Sequence, residues 1–183
     1  MITKQQAQTF FGNTISNSQL SNLNTCLVQY GIDRTKARLN HFLSQSAHES
    51  AGLRWTQELP SSDDSQWQSY LGNTEAGDEH KYKGAGVLQL TGRANYQAFS
   101  EYTHDPKVME GHTYVSEVYP FTSIARWWDD NSMNKLCDEG GTVKDVTLVV
   151  NNWDTDLEDR NDYYLKAVEM FKGINTPFNA PIS

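Results

Sequence analysis

A chain of 183 residues with 37% apolar side chains is long enough for one domain with a hydrophobic core and too short for two large ones. Its 23 acidic against 15 basic residues give a net charge of −8, which works against a nucleic-acid partner, since no basic patch is there to neutralise phosphates. Cys26 and Cys137 lie far apart in helix-like patterns, so two buried thiols are expected, with a single long-range disulfide as the alternative. The first residues carry no apolar signal region and no run approaches membrane-spanning length. The expectation is therefore a monomer made in a reducing cytoplasm, without stable membrane insertion.

In chain order, Thr3 followed by Gln6 is a capping box that starts a helix to about Phe11, where Gly12-Asn13 stops it. Ser18 ahead of Leu20, Leu23, Leu27 and Val28 predicts a second helix over about 19–30, closed by Gly31. Asp33 is read as the cap of a third helix, whose Leu39, Phe42, Leu43, Ser46 and Ala47 share one stripe and whose end is marked by Gly52. This is the candidate central helix. Leu53 to Leu59 mixes β-formers with polar residues and predicts a short strand, and Lys83 to Leu90 supplies a second. Between them, residues 61–81 are rich in Ser, Asp, Gly and Glu, are anchored by Trp67 and Tyr70, and read as a loop or short helical turns on the rim of a site.

Thr91 to Tyr96 opens a helix reaching about Tyr102, and 103–115 is loop-like. Pro120 introduces an aromatic helix whose Trp127 and Trp128 read as core. Thr142 with Asp145 is another capping box, for a short helix ending near Asn151-Asn152. A last helix from about Asp156 directs Leu157, Tyr164, Ala167, Val168 and Phe171 inward and ends at Gly173. Residues 1–173 are read as one domain and 174–183 as a tail.

Two carboxylates draw attention. Glu49 falls at the end of the third helix, where unpaired carbonyl oxygens and the negative end of the helix disfavour a charged carboxylate, as suits a proton donor. Glu58 follows nine residues later. Hydrolysis of a glycosidic bond needs such a donor and a second carboxylate that activates water or attacks the sugar. Two glutamates alone do not define a site in so acidic a chain.

Their context does more. His48-Glu49-Ser50-Ala51-Gly52, then Glu58, then Tyr82-Lys83-Gly84-Ala85-Gly86-Val87-Leu88-Gln89-Leu90-Thr91-Gly92-Arg93-Ala94-Asn95-Tyr96 resembles the signature of family 19 glycoside hydrolases, which contains chitinases and related bacteriophage endolysins. Ile124 to Trp128 is similar to that family's aromatic helix, and Val149 to Asn152 followed by Asp159 to Tyr164 to its closing motif. The resemblance implies a mainly α, lysozyme-like α+β fold: a helical body, a small β-hairpin lobe and a substrate cleft between. It implies that Glu49 is the general acid and Glu58 the general base, with Thr91 holding the attacking water. Gln89 and Asn151 would bind substrate, Asn95 would bind sugar N-acetyl groups or stabilise the site, Arg160 would brace the carboxylates, and His48 would support Glu49 rather than transfer a proton. No metal or cofactor enters this scheme.

The short connection from Glu49 to Glu58 is similar to the phage type, which implies cleavage of peptidoglycan between N-acetylmuramic acid and N-acetylglucosamine, reached through a separate membrane pore. Chitin is the alternative polymer. Two positions depart from the family pattern: Ala85, where a basic residue is usual, and Trp153, where Asn151-Asn152-Trp153 replaces Asn-Gly-Gly. A zinc peptidase or amidase would call for a His-Glu-x-x-His motif or a compact Cys/His cluster, which the sequence lacks. A glycan-binding or virion protein built on an inactive hydrolase is the non-enzyme alternative.

Overall fold

The computed structural model describes residues 1–58, 71–153 and 155–173. The expectations for 61–70, with Trp67 and Tyr70, and for the tail after Gly173 lie outside the described residues. Helix α1 (Lys4–Phe11) carries the expected capping box, with the Thr3 side chain accepting from the Gln6 N–H and the Gln6 side chain accepting from the Thr3 N–H. Helix α2 (Asn17–Gln29) begins two residues earlier than read, because Ser16 and Gln19 form a capping box that outcompetes Ser18. A 3₁₀ turn (Ile32–Arg34) takes up Asp33, and Thr35 caps α3 (Lys36–Glu49) in its place.

Further along are α4 (Asp78–Lys81), α5 (Arg93–Thr103), α6 (His112–Val118), α7 (Thr122–Asp130), α8 (Met133–Asp138), α9 (Val143–Asn151) and α10 (Leu157–Phe171). The stretch 103–115, expected as loop, holds a 3₁₀ turn (Pro106–Glu110) and the start of α6. Asp105 caps the turn through the N–H of Lys107, and Pro106 supplies the first-turn φ.

Every residue from Leu39 to Ala47 is buried, so α3 is enclosed on all sides and not merely along one stripe. It packs most extensively against α10, and α8 and α9 also lie against it. Phe10, Leu23, Phe42, Leu43, Trp128, Ala167 and Phe171 belong to this main core, where Trp128 meets Phe42 edge-on at 5.4 Å. Each such large side chain contributes about 1.5–3 kcal/mol by burial. On α10, Ala167 and Phe171 point inward as expected, whereas Val168 is exposed and Arg160 is buried. Both cysteines are free and buried.

The expected β-hairpin lobe is not formed. Among the described residues there is no strand, only the isolated antiparallel bridges Gln57–Ala85 and Ala85–Leu90. The reason is local. Ala51, Gly52 and Leu53 all adopt positive φ, at 47°, 67° and 68°, so the chain coils tightly after α3 and leaves only residues near Gln57 extended. On the other side the chain turns back between Ala85 and Leu90, with Gln89 at φ 51°, before a second residue can pair. A second apolar cluster takes the place of a sheet. Tyr82, Ala85, Tyr96, Phe99, Val108 and Val115 form it, carried largely by α5, the 3₁₀ turn after it and α6.

Candidate active site

The turn that ends α3 is built to a fixed shape. Ser50 Oγ donates to Ser46 O at 2.7 Å and accepts from the Leu53 N–H at 2.9 Å, while the Gly52 N–H donates to Ala47 O at 2.7 Å. Gly52 is left-handed, and a Cβ there would sit 2.2 Å from the carbonyl oxygen of Phe11. Asn13 Nδ2 donates to Gly52 O at 2.9 Å, which ties the turn to the end of α1. The last residue of α3, Glu49, is thereby held from both sides.

Glu49 Oε1 accepts from Arg160 Nη2 on α10 at 2.7 Å. Arg160 is 1% exposed; both of its terminal nitrogens find partners, whereas its buried Nε has none among the described residues. Its Nη1 donates to Gln45 Oε1, and Gln45 Nε2 donates to Thr147 Oγ1 of α9 at 3.4 Å. Gln45 precedes Glu49 by four residues and so lies on the same helix face, which lets one guanidinium fork span both. Ser44 Oγ donates to the carbonyl oxygen of Arg160 at 2.6 Å and fixes the α10 backbone at this point. His48 faces the start of α10: its Nδ1 is 2.6 Å from Asp159 Oδ2 and its Nε2 is 3.9 Å from Asp156 Oδ2.

Glu58 is held differently. It is exposed, its Oε2 accepts from the Gly84 N–H at 2.8 Å, and its own N–H donates to Gly84 O at 2.8 Å. A Cβ on Gly84 would lie 2.4 Å from Gln89 Oε1 and 3.2 Å from Glu58 Oε2, so the absent side chain lets Glu58 and Gln89 converge on one point. Gln89 Nε2 donates to Gly86 O at 2.8 Å, Thr91 Oγ1 donates to Gln89 O at 2.7 Å, and Asn95 Nδ2 donates to Thr91 O at 2.7 Å. The hydroxyl of Tyr96 is pushed up from its ordinary value first by burial and then by the charge of Glu58.

Two groups of side chains result. His48, Glu49 and Arg160 form one across α3 and α10, and Glu58, Gln89, Thr91 and Asn95 form the other along the glycine-containing segment. Residues 50–58 connect them, pinned by the Trp55 N–H donating to Ser50 O at 3.0 Å. Asn151 stands apart at the end of α9, where its Nδ2 donates to Thr155 Oγ1 at 2.9 Å. Gln45, Asp159 and the Gly84 amide were not singled out from the sequence, although the four-residue spacing of Gln45 from Glu49 was visible there. The buried thiols of Cys26 and Cys137 are pushed up to about 11 and about 12 by burial, the reverse of an activated nucleophile.

No protein-family model matches the chain. Its fold is the lysozyme-related fold of bacterial family 19 chitinases. Chitinase C from Streptomyces griseus matches with a TM-score of 0.65 at 16% identity, over 96% of this chain and 95% of that one. A mutant of chitinase C matches with a TM-score of 0.61 at 16% identity, over the same shares of 96% and 95%. Another bacterial family 19 chitinase, whose structure and enzymatic properties reveal differences with plant enzymes, matches with a TM-score of 0.58 at 17% identity, over 97% of this chain and 98% of that one. These neighbours correct the expectation of a phage-type muramidase acting on peptidoglycan. The three structures named share the fold along nearly its whole length and are chitinases.

Proposed function

We propose that the chain is a glycoside hydrolase of the family 19 type that cleaves β-1,4-linked N-acetylglucosamine polymers such as chitin. The observation that carries this reading is the unequal support of the two carboxylates. Glu49 is half-buried against a guanidinium that is itself locked by Gln45, whereas Glu58 is exposed and held by one backbone N–H. A rigidly aimed carboxylic acid suits protonation of the leaving oxygen, and an exposed carboxylate suits activation of water.

In the proposed reaction Glu49 gives its proton to the glycosidic oxygen as the bond to the anomeric carbon breaks. Glu58 takes a proton from water as the water oxygen bonds to that carbon from the opposite face. Both carboxylates return to their starting states once a proton passes back through solvent. Thr91, whose hydroxyl donates to Gln89 O, offers its oxygen as an acceptor to the water. Gln89, Asn95 and Asn151 supply neutral amides that suit acetamido groups without adding charge. Arg160 keeps Glu49 aimed, and His48, held by Asp159, stiffens the helix end just before Glu49.

The test is incubation of the purified protein with chitin oligosaccharides and, in parallel, with uncrosslinked peptidoglycan, followed by mass spectrometry of new ends. Shortened N-acetylglucosamine oligomers that disappear with Glu49→Gln and Glu58→Gln support the reading. New muramic-acid ends, or no cleavage by a folded protein, contradict it.

A further inference from the structure

Trp153 is 71% exposed, the most exposed aromatic side chain among the described residues, while the neighbouring aromatic helix buries Trp128 completely. It stands in a short loop whose shape is fixed at both ends. Asn152 takes a left-handed φ of 57° and its N–H donates to Leu148 O at 2.9 Å, closing α9. Asn151 Nδ2 then reaches over to Thr155 Oγ1, 2.9 Å away, and ties the neck of the loop. Beyond the neck Asp156 takes a φ of 56° and places its carboxylate 3.9 Å from His48 Nε2, next to Glu49 in sequence.

Two residues lie between Trp153 and Asp156, so their Cα atoms are at most about 10 Å apart at full extension. The chain from Trp153 to Asp156, the Asp156–His48 contact and the peptide bond from His48 to Glu49 thus tether the indole to the neighbourhood of Glu49. A wide, flat, rigid aromatic face held out into solvent beside a site for sugars is suited to one kind of contact, the stacking of a pyranose ring through its axial C–H bonds. The carboxylates of Asp156, Glu158, Asp159 and Asp162 around the start of α10 favour a neutral polymer over an anionic one.

We infer that Trp153 is a stacking platform for a pyranose unit of the polymer, bound beyond the bond being cut, on the α9–α10 side of Glu49. The inference rests on the hydrolase reading above and adds a binding residue to it.

The experiment is isothermal titration of chitin hexasaccharide into Glu49→Gln protein, into the Glu49→Gln, Trp153→Ala double variant and into the Glu49→Gln, Trp153→Phe double variant. Losing the indole is expected to weaken binding about tenfold, the usual scale for an aromatic anchor. Phenylalanine restores most of the affinity, and all three proteins melt at the same temperature because the side chain is exposed. Equal affinity of the alanine variant and its parent overturns the platform and leaves the hydrolase reading standing. Absence of binding by the Glu49→Gln parent, together with no hydrolysis of the sugar by the unmodified protein, overturns both.

Discussion

Arg160 Nη2 lies 2.7 Å from Glu49 Oε1, although the two residues are 111 positions apart in the chain. The contact exists because α10 packs along α3, so the largest helix–helix interface of the main core also aims the candidate acid. Replacing Arg160 by Lys keeps the charge but gives up the planar fork that joins Gln45 to Glu49. The expected outcome is a fall in kcat of about a hundredfold, the scale of a small misplacement of a catalytic group, with KM little changed. Steady-state kinetics on a chitin oligosaccharide checks it.

Gly84 makes a second such relationship on the far side of the site. A methyl group there must displace the flexible amide of Gln89 and crowds Glu58 at both its Cβ and its carboxylate, each 3.2 Å away. Gly84→Ala is expected to lower kcat at least about tenfold, at a stability cost of about 1 kcal/mol or less. Paired activity and denaturant-melt measurements separate the two effects.

Gly52 differs from Gly84 because its obstacle is backbone. A Cβ would meet Phe11 O at 2.2 Å in a residue already left-handed at φ 67°. Gly52→Ala is expected to destabilise the fold by about 1–3 kcal/mol and to loosen the turn after Glu49. A chemical denaturation curve gives the value.

His41 supplies a pH dependence. Burial holds its imidazole down from 6.5 to about 4, and its ring lies 4.4 Å from that of Tyr164, at the interface of α3 with α10. Because the unfolded chain binds this proton more readily than the folded one, the His41 contribution to stability is fully present above pH 6.5. It is lost as pH falls toward about 4 and changes little below that. The expected result is a shallower decline of the melting temperature across that window in His41→Phe than in the unmodified protein.

Much of the helical body was legible because its signals are local. The capping boxes Thr3–Gln6 and Thr142–Asp145 mark the ends of α1 and α9 as read, and the Leu39, Phe42, Leu43 and Ala47 stripe identifies the buried α3. Where two cap candidates compete within a few residues, as Ser16 with Ser18 and Asp33 with Thr35, geometry decides and the sequence does not. The β-lobe was misread because β-forming residues at 53–58 and 83–90 make pairing available without forcing it. Three successive left-handed residues and the turn at Gln89 restrict each pairing to a single bridge.

At the candidate site, the resemblance brought Glu49 and Arg160 to notice, and the fold brings them into contact. The buried amide of Gln45 was hidden because a polar residue in a core stripe reads as an interruption until its partner, distant in sequence, is known. Polymer preference was misread from the short Glu49–Glu58 connection, since the amides and hydroxyls that suit acetamido sugars serve either polymer.

Glu49 and Glu58 are proposed to act as acid and base on a β-1,4 bond between acetamido sugars. The most direct test is proton NMR of chitin hexasaccharide during the first minutes of hydrolysis. Water activated by Glu58 on the face opposite the leaving group gives the α-anomer first at the new reducing end, and neither Glu49→Gln nor Glu58→Gln releases product. Initial formation of the β-anomer, or undiminished turnover by either variant, would contradict the account.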